Sequence, residues 1–217
     1  MRVLAVVAHP DDEVLGAGGA LARHALAGDE VHILILGTGA TARPDSDAAD
    51  VIGLRNAAVL AANSLGATVE LKTLPDNRFD SVDLLDVAQL VEATAHSFRP
   101  EVVYTHSRAD LNIDHRITHD AVLTACRPVP GSTVKRLLCF ETPSSTEWGV
   151  AAFKPTVFVD VSGSWNRKVD ALRRYCDEMR PYPHPRSIEA ISTLSMLRGS
   201  AAGLDRAEAF ELVREIR

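Results

Sequence analysis

The sequence predicts an α/β fold, a Rossmann-like three-layer sandwich whose mostly parallel sheet carries helices on both faces. Three observations predict it. Short, β-branched apolar runs alternate with helical stretches, the rhythm that right-handed βαβ units need. The first run, Val3–Ala8, is uninterrupted, as a strand buried on both faces must be. Histidine-bearing polar segments then follow the strands, at the carboxyl edge where open α/β sheets bind ligands.

The elements follow in order. After the first strand comes His9-Pro10-Asp11-Asp12-Glu13, and then a helical stretch from Val14 that stops at Gly28-Asp29. Glu30–Leu36 is a second strand, ending at Gly37-Thr38-Gly39, and Thr41 to Asp47 is a polar loop with a proline on the same rim as His9. Asp50 to Leu65 is helical and stops at Gly66; Thr68 to Leu74 is a strand halted by Pro75-Asp76-Asn77. A helix over Leu84–Phe98 stops at Pro100, and Glu101–His106 is the fourth strand. The loop Asp110–His115 opens a helix from Arg116 to Cys126. Leu137–Glu141 and Thr156–Val161 are further strands, Trp165–Met179 is a helix, and Pro181–Arg186 is an irregular loop. Ile188–Arg198 is the last helix, and Ala209–Val213 reads as a closing strand.

At 217 residues the chain is long enough to bury a sizeable core, and with no repeat or linker it reads as a single domain over 1–217. A net charge of −6 with scattered Lys and Arg speaks against a nucleic-acid partner, whose phosphates need a basic surface. No apolar stretch reaches the length of a membrane span. The apolar run after Met1-Arg2 is too short for a signal-peptide core. Cys126, Cys139 and Cys176 fit no disulfide framework or zinc-finger spacing, so the cytoplasm is the expected compartment.

The segment from His9 to Glu13 places three consecutive carboxylates behind a histidine at a strand-to-helix turn. Acids in a first helical turn meet the positive end of the macrodipole, worth roughly 0.3–1 kcal/mol each. One acid suits that reading; three together repel, and a divalent cation would turn the repulsion into coordination. His9 and Asp12, three apart on a turn entering a helix, can face one point. Helix capping, a solvated cluster and a metal site all remain open on these residues alone.

Of the eight histidines, His24, His32 and His96 lie within regular elements and read as structural. His106 ends a strand on the ligand-binding rim and is a candidate pocket residue. His115 opens a helix on that rim with Asp114 beside it. With His9 and Asp12 it makes two imidazoles and one carboxylate, the three-ligand set of catalytic zinc sites. His119 stands at i+4 from His115, but no glutamate follows His115 as the His-Glu-x-x-His pattern requires. The glycines at 16, 18 and 19 come too late for a dinucleotide site, and acids occupy the turn where pyrophosphate needs bare amides.

Ala8-His9-Pro10-Asp11-Asp12-Glu13 and the later Asp114-His115 resemble the signature of the LmbE-like (PIG-L) family of zinc-dependent N-deacetylases. The resemblance extends to Gly18-Gly19, the Arg55 to Gly66 helix and Ala207–Phe210. It implies a hydrolase that removes the acetyl group from an N-acetylated sugar or sugar conjugate. His9, Asp12 and His115 would be the metal ligands, for Zn2+ or another divalent transition metal. Water activated at the cation would attack the amide with Asp11 as general base. Asp114 joins the catalytic set, Arg55 resembles a substrate-contacting arginine, and homo-oligomeric assembly is expected.

One departure stands out. Many members carry a histidine three residues before the last ligand, where this chain has Asn112, which donates a hydrogen bond but cannot act as an acid. His184, stiffened between two prolines, is the expected replacement, with His106 second; Asn112 and His106 then count among the substrate-binding residues. The alternative chemistry is a metal-dependent hydratase or lyase acting on a carbonyl acid, since a fold does not fix a reaction.

Overall fold

A computed structural model describes residues 1–42 and 47–217. The expected polar loop over Thr41–Asp47 therefore lies partly outside the described residues. The strands are β1 Arg2–Val7, β2 Glu30–Gly37, β3 Thr68–Leu74, β4 Val102–His106, β5 Arg136–Phe140, β6 Val157–Asp160 and β7 Ala207–Glu215. The helices are α1 Asp12–Leu26, α2 Ala48–Leu65, α3 Leu84–Phe98, α4 Ile113–Ala125, α5 Trp165–Leu172 and α6 Ile188–Ser200.

The strands form a seven-stranded sheet in the order β3-β2-β1-β4-β5-β7-β6. The five from β3 to β5 are mutually parallel, and β7 runs antiparallel between β5 and β6. β1 shows why the sheet needs two covering layers. Val3, Ala5 and Val7 pack into a core with α1, α2 and α5, while Leu4, Val6 and Ala8 pack on the other face with α3 and α4. Strict alternation of two apolar sets is what a doubly covered strand requires.

The chain winds outward from β1 through β2 to β3, then returns to the other side of β1 to add β4 and β5. That reversal lies between β1 and β4. Loops leaving two neighbouring strands in opposite directions open a crevice at their carboxyl ends. Gly16 lets α1 lie close on the sheet, because a Cβ there would run into the ring of Phe140.

Two helices differ most from expectation. α4 starts at Ile113 rather than Arg116, because Asn112 acts as its N-cap: Oδ1 accepts from the Asp114 backbone N–H at 2.8 Å. Asp114 and His115 therefore sit in the first helical turn. The helix expected over Trp165–Met179 ends at Leu172, and Arg173–Tyr175 tightens into a 3-10 turn. The tighter turn accompanies the Tyr175 hydroxyl reaching Glu13 beneath α1, at 2.6 Å from Oε1.

A buried ion pair ties the late strands to α1. Lys168 Nζ lies 2.6 Å from Glu208 Oε1 and also donates to the Leu15 carbonyl at 2.9 Å. Glu208 in turn accepts the backbone N–H groups of Gly19 and Ala20, at 2.8 and 2.7 Å.

Candidate metal centre and its cleft

β1 ends at Val7 and α1 begins at Asp12, so the connection must turn within four residues. The turn is made at Asp11, whose φ of 107° is a left-handed value that a non-glycine residue rarely adopts. Its carbonyl accepts from Val14 and Leu15 at 3.0 and 2.9 Å, and its N–H donates to Glu13 Oε2 at 3.1 Å. Asp11 makes no side-chain cap to α1, so its carboxylate remains available to the crevice.

This turn and the first turn of α4 bring His9, Asp12 and His115 together. One ligand-type atom from each lies within 4.8 Å of the others. Asp12 Oδ2 is 3.4 Å from His9 Nδ1 and 3.2 Å from His115 Nε2. The other Asp12 oxygen, Oδ1, is buried with no hydrogen-bond partner among the described residues. A buried unpaired carboxylate oxygen is costly unless a cation meets it. These donors fit a divalent transition metal.

Each imidazole has a carboxylate behind it. His9 Nε2 is 2.9 Å from Asp114 Oδ2, and that carboxylate also accepts the backbone N–H groups of Asn77 and Phe79, at 2.6 and 3.0 Å. His115 Nδ1 makes an ion-pair contact of 3.1 Å with Asp110 Oδ1, off the axis of an aligned hydrogen bond. Asp110 is fixed by the hydroxyls of Ser145 and Thr146 and by the Asn112 N–H. Carboxylates in this position set the tautomer and aim the free nitrogen. Burial opposes charge on both rings, yet Asp114 and Asp12 hold His9 up at about 10. Asp12 and Asp110 hold His115 at about 9. The site asks for positive charge.

The structure places the remaining expected residues less uniformly. Asp114 faces His9 and two amides, so it is placed to orient a ligand rather than to touch substrate. His106 is fully buried, not on the cleft wall. Its Nε2 accepts from the Ala8 N–H at 3.0 Å, its Nδ1 meets Thr142 Oγ1 at 3.2 Å, and its ring stacks on His115 at 3.9 Å. Burial and the neighbouring His115 push it down to about 3, so it stays neutral. The placement corrects the substrate-binding expectation: the end of β4 turns this ring down beneath Asp12. Arg55 also points elsewhere, donating to the Lys72 carbonyl on β3 at 3.2 Å. His119 donates to the His106 carbonyl at 2.9 Å and is not part of the ligand set.

The centre opens to a cleft of about 360 Å³ lined by residues that include His9, Asp11, Asn77, Asn112 and Arg186. His184 is not on its wall. Its Nδ1 accepts from the Arg186 backbone N–H at 3.1 Å, and its ring stands edge-on to Trp148. What reaches Asp11 from that loop is Arg186, whose Nη1 donates to Asp11 Oδ2 at 2.7 Å. Neither Arg186 nor the supporting role of Asp110 was expected from sequence. The surplus acid on the rim was the only signal for Asp110. Burial pushes Asp11 up to about 7, with Arg186 opposing.

The profile of the GlcNAc-PI de-N-acetylase family, PIG-L, matches residues 4–126, more than half of the chain. An uncharacterized deacetylase of Escherichia coli, YaiS, is 29% identical over 182 residues, covering 80% of this chain and 89% of that protein. The 4-oxalmesaconate hydratase of Pseudomonas putida is 29% identical over 192 residues, covering 78% and 71%. Among solved structures, N,N'-diacetylchitobiose deacetylase from Pyrococcus horikoshii shares the fold with a TM-score of 0.79. That match covers 98% of this chain and 83% of that one, at 19% identity.

Proposed function

Because the chain belongs to the PIG-L (LmbE-like) deacetylase family, we propose that it is a metal-dependent hydrolase that removes acetate from an N-acetylated sugar or sugar conjugate. The observation that carries the reading is the convergence of His9, Asp12 and His115 beside an unpaired Asp12 oxygen, with Asp11 facing the same cleft. Those three residues would hold a divalent cation, with zinc the first candidate, and such a cation would supply Lewis-acid chemistry to the amide.

The chain's own residues carry the proton chemistry. Asp11 sits in the cleft next to a ligand, where a carboxylate can take a proton and return it. It removes a proton from the attacking water and delivers it to the departing nitrogen, so that the amine leaves neutral. Asp114 and Asp110 keep the two imidazoles aimed at one point through this exchange. Asn77, paired side chain to side chain with Asn112, lines the cleft with an amide suited to sugar hydroxyls. The hydroxyl-rich partner is a small molecule.

The second reading, hydration or lyase chemistry on a carbonyl acid, is favoured by the hydratase relative of similar identity. Product analysis separates the two. Zinc-loaded protein is incubated with a panel of N-acetyl sugars and sugar conjugates, and acetate and primary amine are measured. Equimolar release of both supports the deacetylase; a panel without release, alongside turnover of an unsaturated carboxylic acid, replaces it with the hydratase.

A further inference from the structure

We infer that Arg186 is the cationic donor that meets the substrate's carbonyl oxygen, the place left open by Asn112 and for which His184 and then His106 were the sequence candidates; this rests on the deacetylase reading. Each competing group is already committed. Asn112 Oδ1 caps α4 and its amide nitrogen donates to Asn77 Oδ1 at 3.1 Å. Both nitrogens of His106 are engaged beneath Asp12. His184 turns one nitrogen to its own loop and its ring to Trp148.

The guanidinium of Arg186 has a different disposition. Nε donates to Ser144 Oγ at 2.7 Å and Nη1 to Asp11 Oδ2 at 2.7 Å, so two points fix its plane. The second terminal nitrogen, Nη2, makes no hydrogen bond to any described residue, and the side chain lines the cleft beside His9 and Asp11. Its backbone is held by the start of α6, where the N-cap Ser187 accepts from the Ala190 N–H at 3.0 Å. A rigid fork with one free edge is what oxyanion stabilisation requires.

The position follows from Asp11. The base must touch the attacking water, and the water must touch the carbonyl carbon. A guanidinium bonded to that base therefore stands one group away from the reacting bond. Water oxygen bonds to the carbonyl carbon while Asp11 takes its proton, and the C=O electron pair moves to oxygen, where Arg186 donates to it. Return of the pair expels nitrogen, which takes the proton from Asp11. The C–N bond is broken, and acetate and amine are the products.

Three variants test this: Arg186→Met, Arg186→Lys and Ser144→Ala. Zinc content measured on each reports whether the metal centre survives. For Arg186→Met the expectation is a kcat lower by about 100–1,000-fold with KM changed by less than about threefold, as loss of a transition-state contact implies. Arg186→Lys keeps charge without the fork and recovers about tenfold of that loss. Ser144→Ala removes one anchor and gives a smaller fall in kcat. Acetate, whose oxygens occupy the carbonyl position as product, is titrated calorimetrically into each zinc-loaded protein, and Arg186→Met lowers its affinity about tenfold. A kcat of Arg186→Met within about threefold of wild type overturns the assignment. If wild type turns over no N-acetyl substrate, the deacetylase reading falls, and the acetate titration alone decides: equal affinity in wild type and Arg186→Met overturns the arginine's role.

Discussion

His9 Nε2 lies 2.9 Å from Asp114 Oδ2, an interaction that joins the first loop of the sheet to a helix 105 residues later. Two backbone amides on the same carboxylate, from Asn77 and Phe79, stop it from turning away. With Nε2 held, Nδ1 is left to face Asp12. Asp114→Asn keeps the shape but replaces one of the two acceptor oxygens with an NH2 donor. Zinc affinity is expected to fall about 10–100-fold, with an unchanged circular dichroism spectrum. Competition with a chromogenic chelator measures it, and wild-type affinity would remove Asp114 from its supporting role.

Metal binding should depend on pH in a defined direction. His9 at about 10 and His115 at about 9 are raised above the ordinary imidazole value, so in the metal-free protein both carry protons at neutrality. A metal must displace them, and its apparent affinity rises with pH up to about 10 while protons are released. The same shifts set the stability of the metal-free protein. A raised histidine stabilises fully below its unfolded value of about 6.5. That contribution is lost as pH rises through about 9 to 10. Calorimetry in buffers of different ionisation enthalpy counts the protons, and thermal melts from pH 6 to 10 follow the stability.

Asp11→Asn tests the base separately from the metal. Asparagine tolerates a left-handed φ better than most residues, so the turn should survive. The expected loss is about 100–10,000-fold in kcat, with zinc content unchanged. Acetate release at wild-type rate would move the base elsewhere.

The Lys168–Glu208 pair is buried at both ends, and Glu208 also holds two α1 amides. Lys168→Met leaves that carboxylate uncompensated and should cost about 3–5 kcal/mol, lowering Tm by about 10 °C. Adding Glu208→Gln should recover part of the loss. A single variant that melts with wild type would show the pair to be energetically idle.

The core of the site was legible because its determinants are local. A β-branched run followed at once by His9-Pro10-Asp11-Asp12-Glu13 fixes both the strand and the rim on which the acids stand, and Asp114-His115 follows a second strand in the same way. What sequence left open depends on how separate loops meet. Asp110 and Asp114 are four residues apart on one segment, yet they support different imidazoles, a division set by loop placement alone. Arg55 was misplaced because α2 carries Ile52, Val59 and Leu60 exposed as well as Leu54 and Leu65 buried, so its apolar pattern does not give the rotation of the helix. His106 lay at the correct strand end, but the register of β4 sends its ring under Asp12. Arg186 ends an irregular proline-rich loop without periodicity, and only the tertiary fold brings it to Asp11.

The most direct test of the metal centre is a zinc titration of chelator-stripped protein with acetate release measured at each point. One equivalent of zinc is predicted to restore release in wild type, and Asp12→Ala or His115→Ala should show neither tight binding nor activity. Full acetate release by the stripped protein, or undiminished zinc binding after Asp12→Ala, would contradict the account.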